Sequence, residues 1–339
     1  MAKLTVPKHT QDVTRPILHH LNGDTSWLLQ VPRPQADKRA FYNLLIDPWF
    51  TGPQINGAAF LHSQSHIDPS AVQTIAELED FLEATEREAK GSVQKTPTLI
   101  DTVAISLAVT DHAHQPTLSQ IDPNVPCFAL ERSTKLVASY KHFKSVTTVP
   151  FWLSGPNWQD ASVPVFSDGR EVRLAGVKQQ PDDTATLRLG FIITLGSLDG
   201  SQCQTEAIAY IPHGIPAPHL THLAKASPKL NFVALLQAWH HEKFGITPTY
   251  PWPFGWLLGR YLHLDVVLGA DDVLQAQKLL QARYLIATHD EVKESKGFTS
   301  QFLERREMSP ADAIKDGKLD GSEVQALVLQ SGEHQVLTM

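Results

Sequence analysis

Through the first half of the chain, short apolar runs alternate with stripes of apolar residues at helical spacing, and the middle of the chain sets apolar runs close together. Residues 20–31 (HLNGDTSWLLQV) place an Asn-Gly-Asp turn ahead of an apolar strand, and residues 41–47 (FYNLLID) form a second, so a hairpin is predicted. Pro48, Gly52 and Pro53 stop that strand and leave Asp47 at its end. The long connection 54–69 holds Phe60, His62 and His66 and reads as a structureless loop covering a site. Ser70 is predicted to cap a helix running to Lys90, with Val72, Ile75, Leu78, Phe81 and Leu82 along one face. Residues 99–118 (LIDTVAISLAVTDHAHQPTL) carry a buried strand into a loop that sets Asp111, His112 and His114 beside Ser106 and Thr110. Strand 125–130, helix 133–143 and strand 146–149 complete a β-β-α-β-α-β-α-β order, which implies a sheet with helices packed on it.

From about residue 150 to 200 the pattern becomes a meander, with strands at 171–177, 186–194 and 206–211. Further on come a helix at 217–225, a buried strand at 230–238, a helix at 271–282 and a strand at 284–287. Two short helices around 298–304 and 310–314 and a hairpin over 324–337 close the chain. No fixed-period repeat and no linker interrupt this order, so residues 1–339 read as a single domain, with an aromatic and proline-rich loop inserted at about 239–260.

Composition narrows the partners. The 339 residues are 42% hydrophobic, enough for a substantial core. A formal charge of -7 and the lack of Lys/Arg blocks argue against nucleic acid or an anionic membrane as main partner and leave a small-molecule substrate; nothing in the chain sets an oligomeric state. Only Cys127 and Cys203 are present, both in strand-like contexts, so a reducing compartment is expected. The first residues, MAKLTVPKHTQDV, hold no apolar stretch, and no run approaches the ~20 residues of a membrane span, so the expected location is cytoplasmic.

Several strands deliver ionisable residues at their C-terminal sides: Asp47, Asp111 with His112, His213, His240 with His241, and His289. Aligned along one sheet edge, they would converge on a metal or a proton-transfer site, because such sites are assembled from separated strand ends. A lone strand-end histidine is more often a hydrogen-bonded structural residue than a ligand, and it is their succession that points to a site.

The succession LLIDPWFTGP, TDHAHQPTL, VPCFAL, EAIAYIPHG and YLIATHDE, with VQALVLQSGEHQVL at the end, resembles the metallo-β-lactamase fold superfamily, in particular the branch with the ascorbate-phosphate lactonase and uncharacterised hydrolase-like proteins. It extends from about Leu18 to Leu337. The resemblance implies an α/β fold, a four-layer αββα sandwich of two mixed β-sheets flanked by helices with a site along one edge, and hydrolase chemistry. That family's metal motif is His-x-His-x-Asp-His, and it is degenerate here: Asp111 and His112 match its last two positions, but Leu107 and Val109 stand at the first two. A further histidine expected after VRLAGV is replaced by Gln179 or Gln180. The first metal's cradle is therefore broken. For the second, Asp111, His112 and His289 match, and His213 falls where the family has a bridging aspartate.

Three readings follow. In the first, Asp111, His112, His213 and His289 hold one divalent ion, zinc first and iron or manganese next, at the ~2.0–2.2 Å such donors require. Asp111 and His112 are then the catalytic pair, Asp111 ligating or taking the proton, and the substrate is an ester, lactone or similar carbonyl compound. The second keeps the fold without a metal: Asp111, His213 and His289, joined by Asp47, His240 or His241, form an acid/base cluster of a lyase or isomerase. The third is a non-catalytic binding or scaffold protein. The loop with Trp239, Tyr250, Trp252, Phe254 and Trp256, stiffened by Pro248, Pro251 and Pro253, is either a hydrophobic plug or a lid. As a lid it makes His240, His241, Trp252, Trp256 and Arg260 the substrate contacts, with Arg260 or Lys243 for a carboxylate and Trp152 and Trp158 closing the opposite side. His62 and His66 are further residues within reach of such a cleft.

Overall fold

The structure, a computed structural model, describes all residues except 1–2, 8–13, 56, 167–170, 182–186, 197–204, 246–262, 320–323 and 339. Two seven-stranded sheets form its centre. The first contains β1 (Ile17–His20), β2 (Trp27–Pro32), β3 (Phe41–Ile46), β6 (Thr102–Ile105), β7 (Cys127–Ala129), β8 (Val146–Thr148) and β20 (His334–Val336), in the order β20-β1-β2-β3-β6-β7-β8. The second contains β9 (Val163–Phe166), β10 (Val172–Lys178), β11 (Leu189–Leu195), β12 (Thr205–Tyr210), β13 (Leu230–Gln237), β16 (Tyr284–Ala287) and β19 (Gln325–Leu327), in the order β19-β16-β13-β12-β11-β10-β9. Both are mixed: β1, β2 and β3 pair antiparallel and β3, β6, β7 and β8 parallel, while β9 to β12 form the meander and β12, β13, β16 and β19 run parallel.

Period-two alternation decides which core each residue joins. Trp27, Leu29, Val31, Tyr42, Leu44 and Ile46 of the first sheet meet Leu174, Phe191, Ile193, Leu195, Ile208, Tyr210, Tyr284 and Ile286 of the second in one inter-sheet core. Their neighbours point outward. Leu28, Leu45 and Val103 pack with Leu78 and Leu82 of α1 (Ile75–Lys90) and Val137 of α3 (Glu131–Ser139), the short α2 (Gln115–Leu118) lying between these helices in the chain. Ile192, Ala209, Leu235 and Leu285 pack with Val273, Ala276 and Leu280 of α4 (Ala270–Leu280) and Ala313 of α5 (Pro310–Lys315). Three cores between four layers make the αββα sandwich. No helix among the described residues is long and apolar enough to cross a membrane.

Local chemistry explains where the structure departs from the sequence pattern. The first long helix starts at Ile75 because Thr74 caps it, its Oγ1 accepting from Glu77 N at 3.2 Å, while the Ser70 hydroxyl donates to the Phe50 carbonyl at 2.7 Å. Residues 217–225 form two short 3-10 turns, Ala217–Leu220 and Leu223–Lys225, in place of the predicted helix. The connection after Asp47 is not structureless: β4 (Gln54–Ile55) and β5 (Ser63–Ser65) pair with β17 (Glu294–Lys296) as a small sheet. Only Phe298–Phe302 of the segment predicted as a helix coils; Leu303–Arg306 is β18, paired with β14 (His241–Gly245), which also pairs with β15 (His263–Val267). The C-terminal segment is not a hairpin. β19 lengthens the second sheet beside β16, and β20 lengthens the first beside β1, so the chain crosses from one sheet to the other at the sandwich edge.

His19 on β1 faces α1, edge-on to Phe81 with ring centroids 5.2 Å apart, and its Nε2 is 2.9 Å from Gln30 Oε1. Burial, aided by the neighbouring His334, pushes its pKa down to about 3. The unfolded chain therefore takes up a proton near the ordinary value of 6.5 that the folded chain refuses until about 3, and stability falls as pH drops through that window. Replacing His19→Gln removes this contribution. Urea unfolding at about pH 7 and about pH 5 should show a smaller acid loss in the variant than in the wild type, and equal losses would refute the assignment.

Candidate metal centre

At one end of the sandwich, strand β3 terminates in Asp47, which adopts a left-handed φ of 44° and is completely buried. Its carboxylate accepts from Ser106 N at 2.7 Å, from the Ser106 hydroxyl and from the Tyr210 hydroxyl at 2.7 Å, and it lies 2.7 Å from His112 Nδ1. Ser106 follows β6 in the first sheet and Tyr210 ends β12 in the second, so one side chain ties both sheets together. It also sets the His112 tautomer: Nδ1–H donates to Asp47, and Nε2 presents a lone pair.

Two other histidines are prepared in the same way. His213 follows β12 in a Pro-His-Gly turn, and its Nδ1 lies 3.1 Å from the Val266 carbonyl, leaving Nε2 as an acceptor. Gly214 has φ 84°, and a Cβ there would stand 2.8 Å from Gln237 Nε2 and 2.9 Å from Asp272 Oδ2, so the turn that presents His213 admits only glycine. His289 follows β16 with φ 63°; its amide donates to the Asp24 carbonyl at 2.8 Å and its Nδ1 lies 2.6 Å from Asp24 Oδ1. Ring centroids of His112, His213 and His289 are 4.6 to 5.5 Å apart, and one nitrogen of each lies within 4.8 Å of the others. His112 Nε2 and His213 Nε2 face each other at 3.3 Å. Two facing lone pairs at that distance require a positive charge between them, either a proton or a metal ion.

Asp111 Oδ2 stands 3.8 Å from both His112 Nε2 and His289 Nε2. Burial alone would raise its pKa, but His112, Lys293 and His289 outweigh that and hold the carboxyl below its usual range. Asp24 is kept low in the same way by His289 and Lys293. For His112 the burial cost is outweighed by Asp47 and Asp111, and its pKa is raised; for His213 burial prevails, reinforced by the two other imidazoles, and holds it well below the ordinary value. Burial also keeps His289 low despite Asp24. Asp24, Asp47 and Asp111 are all buried, and the Lys293 ammonium pairs with Asp24 Oδ2 at 2.7 Å. The donor set, nitrogen-rich with each imidazole braced from behind, suits zinc, and iron or manganese as well.

A cleft of about 300 Å³ lies over this cluster, lined in part by Val109, Asp111, His213, His240, His289, Lys293 and Arg305. His240 is at the cleft, its Nδ1 2.7 Å from Asp290 Oδ1 and its ring 6.2 Å from that of His289. His241 instead pairs with Asp265 on the neighbouring strand, as does Lys243. Trp252, Trp256 and Arg260 lie outside the described residues, as do Tyr250 and Phe254. Trp152, Trp158 and Trp239 are buried in the core beneath the second sheet and line no part of the cleft, since each indole is consumed by packing there. His62 borders the cleft; His66 is engaged with Glu291 at 2.5 Å, and its ring lies tilted against Trp49 with centroids 3.8 Å apart. His114 bonds Thr117 Oγ1 and stays apart from the three imidazoles. Leu107 is buried in the core, and the Gln179 backbone N–H donates to the Arg188 carbonyl at 3.0 Å.

Sequence reasoning passed over Asp24 and Lys293. The signal for Asp24 was the Asn-Gly-Asp turn: Asn22 Oδ1 accepts from Asp24 N and Ser26 N, and this turn aims the Asp24 carboxylate at His289. Lys293 carries no sequence signal beyond standing four residues after His289.

No family model and no curated protein matches the chain. Solved structures do. The isothiocyanate hydrolase from Delia radicum gut bacteria is 14% identical and aligns with a TM-score of 0.54 over 95% of this chain and all of that one. A possible metal-dependent hydrolase from Veillonella parvula is 12% identical, with a TM-score of 0.53 over 96% of this chain and all of that one. CmlA, a diiron β-hydroxylase from Streptomyces venezuelae, is 12% identical, with a TM-score of 0.52 over 96% of this chain and 55% of that one. At such identities the match concerns architecture. Two facing mixed sheets, helices on both outer faces and a histidine–aspartate cluster at the strand ends identify the architecture of this chain as the metallo-β-lactamase fold.

Proposed function

We propose that this chain is a hydrolase-like enzyme acting on a small organic carbonyl compound, an ester or lactone in the first place, with one divalent ion, zinc before iron or manganese, held by His112, His213 and His289 beside Asp111. The observation that carries this reading is the convergence of three imidazole nitrogens whose opposite ring nitrogens are each engaged by Asp47, the Val266 carbonyl or Asp24. Such bracing fixes ligand orientation and basicity. The hydrolase names of the Delia radicum gut bacterial and Veillonella parvula proteins support the reaction class. A bound divalent ion would polarise a carbonyl oxygen and acidify a water molecule. Asp111 Oδ2, ionised and close to two of the imidazoles, accepts the proton of the attacking water. His240, held by Asp290, borders the cleft where the substrate's remaining part would lie. A second reading, a metal-independent lyase or isomerase, is favoured by one observation: Lys293 already supplies a cation beside Asp24 and Asp111.

Metal analysis separates the two. After reconstitution with zinc and removal of loose ions, the wild type should retain about one equivalent, and His112→Ala combined with His213→Ala close to none, as four-donor sites lose their ion when half the donors go. Hydrolysis of a panel of esters and lactones should vanish on chelation and return with zinc. A chain that holds no ion, yet turns over substrate in chelator, establishes the second reading instead.

Asp47→Asn should leave the protein folded but weaken zinc binding by about 10–100-fold, because the amide cannot accept from Ser106, Tyr210 and His112 as the carboxylate does. Competition with a chromophoric chelator reads this directly. Unchanged affinity would show that Asp47 does not orient His112 for an ion.

A further inference from the structure

A second group of potential ligands overlaps the first, sharing His289 with the three imidazoles and Asp111 with the site beside them. Asp24, Asp111 and His289 each offer an atom within 4.8 Å of the others, and all three side chains are buried. Lys293 sits among them: its Nζ is 2.7 Å from Asp24 Oδ2, 3.3 Å from His289 Nδ1 and 3.9 Å from Asp111 Oδ2. Asp24 Oδ2 receives no aligned hydrogen bond, so the charge of Lys293 is what serves that oxygen. The ammonium also lies over the Trp49 ring, 5.6 Å from its centroid, a further contact that favours a cation there.

We infer that Lys293 is a built-in cation that occupies the Asp24–Asp111–His289 group and restricts the centre to a single exchangeable ion. An ammonium is a compact point charge with three donors, and it meets two carboxylates here much as a small metal ion would. A divalent ion entering the same group would have to displace it or stand beside it, and like charges at a few ångströms in a buried site repel strongly. This inference rests on the one-ion reading for the total it predicts, but its direction does not.

The test is a Mn²⁺ titration followed by the electron paramagnetic resonance signal of free Mn²⁺, on the wild type, Lys293→Ala, Lys293→Gln and Lys293→Arg. Lys293→Ala and Lys293→Gln should each bind one equivalent more than the wild type, and Lys293→Arg should bind the same number as the wild type. Adding Asp24→Asn to Lys293→Ala should remove the extra equivalent. If Lys293→Ala does not fold, Lys293→Gln, neutral and similar in length, carries the comparison. Equal stoichiometry in wild type and both neutral variants overturns the inference, and so does an extra ion that survives Asp24→Asn. A wild type that binds none while the neutral variants bind one sinks the one-ion reading and leaves the role of Lys293 standing. A wild type and neutral variants that each bind one do the reverse.

Discussion

The buried Asp47 carboxylate holds the functional end of this molecule together. It takes two donors from Ser106 in the first sheet, one from Tyr210 in the second, and the imidazole of His112 from the loop between them. A carboxylate with no solvent exposure is tolerated only when its oxygens are fully served, and deleting such a partner typically costs about 3–5 kcal/mol. The same contacts that make it affordable also join the two sheets at the edge where the histidines emerge. The contact between the two sheets at this edge and the orientation of His112 thus rest on the same carboxylate.

From that anchor the site is built outward as a chain of second partners. The turn after β1 places Asp24, whose carbonyl and carboxylate hold His289 and whose other oxygen meets Lys293. Thr25 Oγ1 donates to the Asp111 carbonyl and Trp27 Nε1 to Thr288 Oγ1, so the start of β2 is fastened to both the Asp111 loop and the end of β16. Left-handed backbone at Asp47 and His289, two non-glycine residues, marks the places where the chain is bent out of its preferred conformation to deliver these groups. Strain of this kind persists because the surrounding hydrogen bonds fix the side chains on both sides.

The residues that bear the chemistry make the centre lopsided. Leu107 and Val109 have no lone pair to offer an ion, and Val109 borders the cleft with an apolar surface. On the other flank, Lys293 adds a fixed positive charge to a group of donors that could otherwise bind an ion. Between these two restrictions stand His112, His213 and His289, with Asp111 at their side.

Continuous apolar runs such as Trp27-Leu28-Leu29 and Phe191-Ile192-Ile193 announced strands buried on both faces, the strand ends bearing Asp47, Asp111, His112, His213 and His289 announced residues that the fold brings together, and the resemblance implied the architecture. Leu107 and Val109 were equally visible as side chains with no lone pair to offer. Those features are local: they depend on residue type and on spacing within one strand or turn. The parts that only the folded chain decided all involve partners far apart. Asp24 and His289 are separated by 265 positions, and β19 and β20, adjacent in the chain, join different sheets. Which nitrogen of each imidazole is free, and that a lysine fills the neighbouring group, follow from contacts that exist only once the two sheets have closed on one another, and no periodicity encodes them.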